Sequence, residues 1–270
     1  SSFPLTYAEK GLLQVKLHGP GWDDLPLQAG QALNVVPDKA TYAGHRLEEL
    51  LPVLDQSEVQ YSQTEDSVTV LGVSKHSKDA AEGVNAIVGL AESLSLIQPH
   101  PALLFIADAV GEDATGEALF GPISDEPSGD LSFNLATLVI DQEQSEIGID
   151  IRIPVLADKD ALVARLQEIA ASYQLEYEEF DYLAPLYVPL DSPLVSSLMA
   201  VYQEETGDKT PAMSSGGATF ARTMGNCVAY GALFPGAEQT EHQANERAKI
   251  DDLYAAMEIY REAIQRLATT

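Results

Sequence analysis

Cysteine is almost absent. Cys227 is the only one, so no disulfide can form within the chain. That suits a reducing compartment, and a cytoplasmic location is the expectation. Basic residues are scarce as well: 15 Lys and Arg stand against 42 Asp and Glu, for a formal charge of −27. A surface so short of cations cannot neutralise a phosphate backbone, which excludes general nucleic-acid binding. The same deficit argues against an anionic membrane as partner. No apolar run approaches the roughly 18 residues of a membrane span. The segment Ser1-Ser2-Phe3-Pro4 has no basic region leading into an apolar one, so no signal peptide is read there. Self-contained metal and nucleotide motifs are missing too: there is no Cys pair, no HExxH, no HxD and no GxxxxGKS/T. The five histidines are scattered, at positions 18, 45, 76, 100 and 242.

What remains is a well-patterned chain. Its 270 residues suggest one large domain or two ordinary ones, and a hydrophobic content of 45% argues against disorder. Residues 12–18 alternate apolar and polar like a strand, and a short strand is expected over 32–36, ended by Pro37-Asp38. Leu47, Leu50, Leu51 and Leu54 have helical spacing within 44–55. A strand pair follows at 59–63 and 68–73, then a long amphipathic helix over 79–98 and a second helix over 101–111. Strands are expected at 135–142 and 147–155, a helix at 159–173 and a strand at 175–182. The arrangement implies a four-to-eight-stranded, mainly antiparallel sheet with helices on one face. Beyond Ala184-Pro185-Leu186 the composition changes, and a domain boundary falls near residue 186. A helix over 192–206, a Gly-rich turn, a short helix through Arg222, a buried strand at 227–230 and a final amphipathic helix over 250–267 complete the chain.

Several polar residues sit where chemistry is plausible. His76 lies between a strand end and a helix, where it can face a cleft or simply face solvent. Arg152 interrupts apolar residues in Asp150-Ile151-Arg152-Ile153-Pro154; it either clamps a carboxylate or pairs with Asp150 on a solvated face. Asn34 is a polar residue in a hydrophobic stretch, and the pattern alone favours a structural role. The turn at Gly216-Gly217, leading through Thr219 to Arg222, offers backbone N–H groups to an anion. His242, flanked by acids, reads as a surface or helix-start residue, or as a zinc ligand.

Taken in order, these segments resemble the di-zinc metallopeptidases related to bacterial dipeptidases, carnosinase, succinyl-diaminopimelate desuccinylase and glutamate carboxypeptidase. The branch that cleaves unmodified dipeptides with broad specificity is the most similar. The resemblance is carried by Phe3-Pro4-Leu5-Thr6-Tyr7-Ala8-Glu9-Lys10-Gly11, Ala32-Leu33-Asn34-Val35-Val36-Pro37, Gly72-Val73-Ser74-Lys75-His76 and Glu82-Gly83-Val84-Asn85-Ala86. It continues through Asp150-Ile151-Arg152-Ile153-Pro154, Ser215-Gly216-Gly217-Ala218-Thr219-Phe220-Ala221-Arg222, Phe234-Pro235-Gly236 and His242-Gln243-Ala244-Asn245-Glu246. It implies an α/β fold in which a zinc-peptidase catalytic domain is interrupted by a βαβ-type lid, or dimerisation, domain. Residues 1–11 would end the first catalytic segment, 12–185 would form the lid, and 186–270 would be the returning catalytic segment.

The resemblance also implies roles. His242 would be a zinc ligand. Asn34 and His76 would be transition-state donors to the scissile carbonyl. Arg152 would hold the free carboxylate of a dipeptide, with help from Gly216, Gly217, Thr219 and Arg222. The family pattern places an HxD block, a bridging Asp, a Glu-Glu pair and a further Asp ahead of Phe3-Pro4, and none of them stands at that place in this sequence. The expectation is therefore an incomplete portion of a dipeptidase, inactive alone, with one recognisable ligand for a two-zinc centre. Its C-terminal segment is expected to expose apolar surface. A homodimer through the lid is compatible with the family. The alternatives are a non-catalytic module for self-association or partner binding, and a metal-independent hydrolase built on Ser215 or Thr219. The last lacks any His-Asp relay near either residue.

Overall fold

A computed structural model describes residues 2–23, 25–238, 240 and 245–269. The chain divides into two compact units, one of residues 11–183 and one of residues 1–10 with 184–270.

The larger unit is built on a five-stranded antiparallel sheet in the order β11-β2-β10-β9-β3. Its strands are β2 (Gly11–Pro20), β3 (Leu27–Ala29), β9 (Ser132–Ile140), β10 (Gln144–Ile153) and β11 (Glu176–Leu183). Period-two patterning explains them: Leu13, Val15 and Leu17 share one face with Ile147, Ile149, Ile151 and Ile153, and all are buried. Three helices help form the core with that sheet: α2 (Ala86–Ser95), α3 (Pro101–Leu104) and α5 (Lys159–Ser172). A smaller sheet, β4-β6-β5, comprises β4 (Lys39–Tyr42), β5 (Tyr61–Gln63) and β6 (Val68–Leu71). Helix α1 (Leu47–Gln56) buries Leu50 and Leu54, the inward positions of its leucine repeat. A short helix α4 (Glu117–Phe120) and a two-stranded hairpin, β7 (Ser124–Asp125) with β8 (Gly129–Asp130), fill the segment before β9.

Two local expectations differ. Periodicity predicts one helix over 79–98, but the chain makes a 3₁₀ turn over Ser77–Glu82 and starts α2 only at Ala86. Between them Val84 pairs with Val73, and Asn85 accepts hydrogen bonds from the amides of Ile87 and Val88, so it caps a new helix. Residues 32–36 form a turn in place of a strand: the Val35 amide donates to Ala32, and Val35 makes a single bridge to His76. The helix over 101–111 forms, with its second half, Phe105–Val110, wound as a π-helix.

His100 is wholly buried at the start of α3. Its Nδ1 accepts the Ala102 amide proton, so Nε2 carries the hydrogen and donates to Pro20 O at 3.0 Å. Burial holds its pKa below the ordinary histidine value. The unfolded chain therefore binds more protons below about pH 6.5, and this unit loses stability as pH falls through that value. Trp22, the only tryptophan, packs edge-on to His100 with centroids 5.7 Å apart, and it reports on this unit alone. Urea titrations followed by Trp22 fluorescence should show midpoints that fall between pH 6.5 and 5. A His100→Gln variant should flatten that slope.

The smaller unit carries a three-stranded sheet in the order β12-β1-β13, with β1 (Thr6–Glu9) between β12 (Leu186–Tyr187) and β13 (Met213–Ser215). Helix α6 (Pro193–Thr206), capped by the Ser192 hydroxyl, packs against α7 (Ile250–Ala268). Phe3 anchors the unit: its ring lies 4.8–5.9 Å from those of Tyr202, Tyr230, Phe234 and Tyr260. The expected buried strand over 227–230 is reduced to a single bridge between Ala229 and Thr6. Apolar side chains remain outside: Phe220 is 92% exposed, Ile264 67% and Tyr254 64%.

Candidate functional site

In the larger unit, three of the expected site residues converge. The polar face of the sheet carries Gln14, Asp150 and Asn134 side by side in register. Two connecting segments lie against it, the 32–36 turn and the start of the 3₁₀ turn. They are joined to each other by Val35–His76 bridging, by Val36 N–H to Lys75 O at 2.8 Å, and by Ser77 N–H to Asn34 O at 2.9 Å. Asn134 fixes the first segment, donating from Nδ2 to Leu33 O and Val35 O, each at 3.0 Å. Gly148 makes the approach possible. A Cβ there would stand 2.7 Å from the Leu33 side chain and 2.3 Å from Thr137 Oγ1. Asn34 and His76 are both exposed, on adjoining segments.

His76 caps the 3₁₀ turn, and its Nδ1 accepts the Lys78 amide proton at 3.1 Å. In the neutral ring this leaves Nε2 protonated and able to donate. Although the side chain reaches solvent, partial burial lowers its pKa, helped by the positive charges of Arg152 and Lys78 and opposed by Asp150 and Asp79. The neutral tautomer with a donating Nε2–H is thus the form present at neutral pH.

Arg152 is not on a solvated face. It is 3% exposed, with Nε 2.6 Å from Asp150 Oδ1 and Nη2 3.1 Å from Asp150 Oδ2. Nη2 also donates to Ser77 Oγ at 3.0 Å. Of the two readings open for Arg152, the Asp150 pair forms, and it is buried. Asp150 is itself wholly buried and accepts a further hydrogen bond from Gln14 Nε2 at 2.9 Å.

In the smaller unit, the Gly216-Gly217 turn and Thr219 surround a carboxylate belonging to the chain itself. Buried Glu9 accepts from the Thr219 amide at 3.0 Å, the Thr219 hydroxyl at 2.6 Å and Arg222 Nε at 2.8 Å. Arg222 also donates to Gly217 O, Ala184 O and Lys10 O, and Gly217 N–H goes to Ser215 Oγ. The donors expected to receive a substrate carboxylate do hold one, and it is that of Glu9. Sequence reasoning did not single out Glu9 or Ser77. The signal available was an acid at the end of a fully buried strand segment, and a serine beside the candidate histidine.

His242, the expected zinc ligand, lies outside the described residues. Among the described residues no group of three or more His, Cys, Asp or Glu could hold a metal ion. Those residues therefore do not fit a two-zinc centre, in which each ion takes about four ligands. Among them, too, no helix is long and apolar enough to cross a membrane.

Comparison with known proteins defines the class. The fold is similar to that of the yeast dipeptidase Dug1p of Saccharomyces cerevisiae, with a TM-score of 0.50 and 12% identity over 100% of this chain and 57% of that one. The model of Peptidase family M20/M25/M40 matches residues 8–266, and the chain belongs to that family. Members are typically metal-dependent peptidases. The chain is 32% identical to YtjP of Bacillus subtilis (strain 168), provisionally named a dipeptidase, over 99% of this chain and 62% of that protein. It is 30% identical to MW1694 of Staphylococcus aureus (strain MW2), also provisionally named a dipeptidase, with the same coverage. The chain thus spans about three fifths of the length of these curated relatives.

Proposed function

We propose that this sequence serves the zinc-dependent hydrolysis of unmodified dipeptides. The observation that carries the reading is a neutral His76 with a donating Nε2–H, set on a segment bonded to the Asn34 turn, in a chain of a peptidase family. When a nucleophile adds to a peptide carbonyl, negative charge builds on the oxygen. Fixed N–H donors 2.7–3.1 Å from that oxygen stabilise it more than they stabilise the ground state. His76 Nε2–H and the Asn34 side-chain amide are proposed as those donors. A neutral histidine suits this role, since its N–H is already in place before charge develops. For the smaller unit, Gly216, Gly217, Thr219 and Arg222 are proposed to shape the substrate's carboxylate end, as a turn held by Glu9. The 270-residue chain by itself is proposed to be inactive, because its described residues offer no metal-holding group.

A substrate panel assayed with the complete gene product tests the substrate class. Free dipeptides are expected to be cleaved, and N-acetylated or C-amidated versions to react at least about tenfold more slowly. Equal rates on blocked and free substrates would remove the dipeptide reading, as would cleavage confined to longer peptides.

A further inference from the structure

Ser77 is wholly buried, yet each of its polar groups is engaged by a residue distant in sequence. Its N–H donates to Asn34 O at 2.9 Å, its carbonyl accepts from Ser132 Oγ, and its hydroxyl accepts from Arg152 Nη2 at 3.0 Å. Arg152 is in turn fixed by both oxygens of Asp150, which is tied to Gln14. Ser77 is thus pinned to strands β9 and β10 and, through its amide, to the Asn34 turn. It is also the residue that follows His76.

A buried ion pair of this kind costs heavily in desolvation, and apolar residues of similar volume commonly match or exceed its contribution to stability. What it offers that apolar packing does not is direction. Its hydrogen bonds fix one orientation of one neighbouring segment. We propose that Ser77, oriented by Arg152 and Asp150, is a positioning residue that locks His76 and the Asn34 turn into the donating arrangement. This rests on the reading of His76 as a carbonyl donor. It also gives Arg152 a role in the reaction through Ser77.

The groups that set the charge around His76 are Arg152, Lys78, Asp150 and Asp79. Ser77 is uncharged, so replacing it leaves all four in the sequence and changes only how the segment is held. The test is ring-nitrogen NMR of His76 in the 270-residue chain, assigned by comparison with a His76→Gln variant. The wild-type ring is expected as a single Nε2–H tautomer with a midpoint below 6.5. In Ser77→Ala it should become a mixture of tautomers, with a midpoint moved up toward 6.5. Ser77→Thr, which keeps the hydroxyl, should restore the wild-type signal. An unchanged tautomer and midpoint in Ser77→Ala would overturn the proposal. If that variant does not fold, Arg152→Lys carries the same expectation and the same refutation, because an ammonium keeps the charge but loses the paired contacts that aim Nη2 at Ser77. In the complete gene product, Ser77→Ala should lower kcat about tenfold with KM little changed. A gene product without dipeptidase activity, combined with the expected NMR changes, would refute the functional reading and leave the positioning role standing.

Discussion

Replacing His76 with alanine in the complete gene product is expected to lower kcat for an unmodified dipeptide by about 100- to 1,000-fold, the usual loss for one donor to a developing oxyanion. KM should change little, because the donor acts on charge that appears only as the carbonyl is attacked. The geometry also fixes the pH dependence. The acting form is neutral, and burial together with Arg152 and Lys78 lowers the pKa of the ring. Activity that depends on His76 should therefore persist as pH falls through the ordinary histidine value of about 6.5, and the limb due to this group should lie below it. His76→Gln retains a donating N–H and should recover part of the loss. Steady-state kinetics on wild type and both variants decide the matter. A His76→Ala enzyme within threefold of wild type would remove His76 from the reaction.

The second large effect is on stability. Asp150→Ala leaves Arg152 charged, buried and without its main partner, and it also removes the acceptor of Gln14. Breaking a buried pair from one side costs about 3–5 kcal/mol. That is a large part of what a domain has. The loss should appear in the unit of residues 11–183, where Trp22 fluorescence follows it during urea unfolding. Circular dichroism of the other unit's helices should change far less. A variant with an unshifted Trp22 transition would mean that the pair is dispensable, and the network around Ser77 with it.

Much of the scaffold was legible because one-sided burial imposes a period. The alternation at 12–18 and 147–153 marks β2 and β10, and the leucine spacing of 44–55 marks α1. The segments that misread are those where tertiary contacts override local pattern. The apolar periodicity of 79–98 continues through Val84, but Val84 is spent on a bridge to Val73 and the helix restarts at the Asn85 cap. Asn34 lies in a sequence that reads as a strand, yet its carbonyl belongs to Ser77 and its turn to Asn134. The candidate residues themselves were visible as polar interruptions of apolar stretches. Their partners were not, since Ser77 and Arg152 are 75 residues apart and Thr219 and Glu9 are 210 apart. Composition names a candidate acid or cation. Only the folded chain shows that the carboxylate facing Arg222 is the protein's own.

The most direct measurement is release of free amino acids from one unmodified dipeptide by the complete gene product, treated with chelator and then given back zinc. The account predicts no release after chelation and equal amounts of both amino acids once zinc is restored. A dipeptide that stays intact with zinc present, or is cleaved at an undiminished rate with the metal removed, would contradict it.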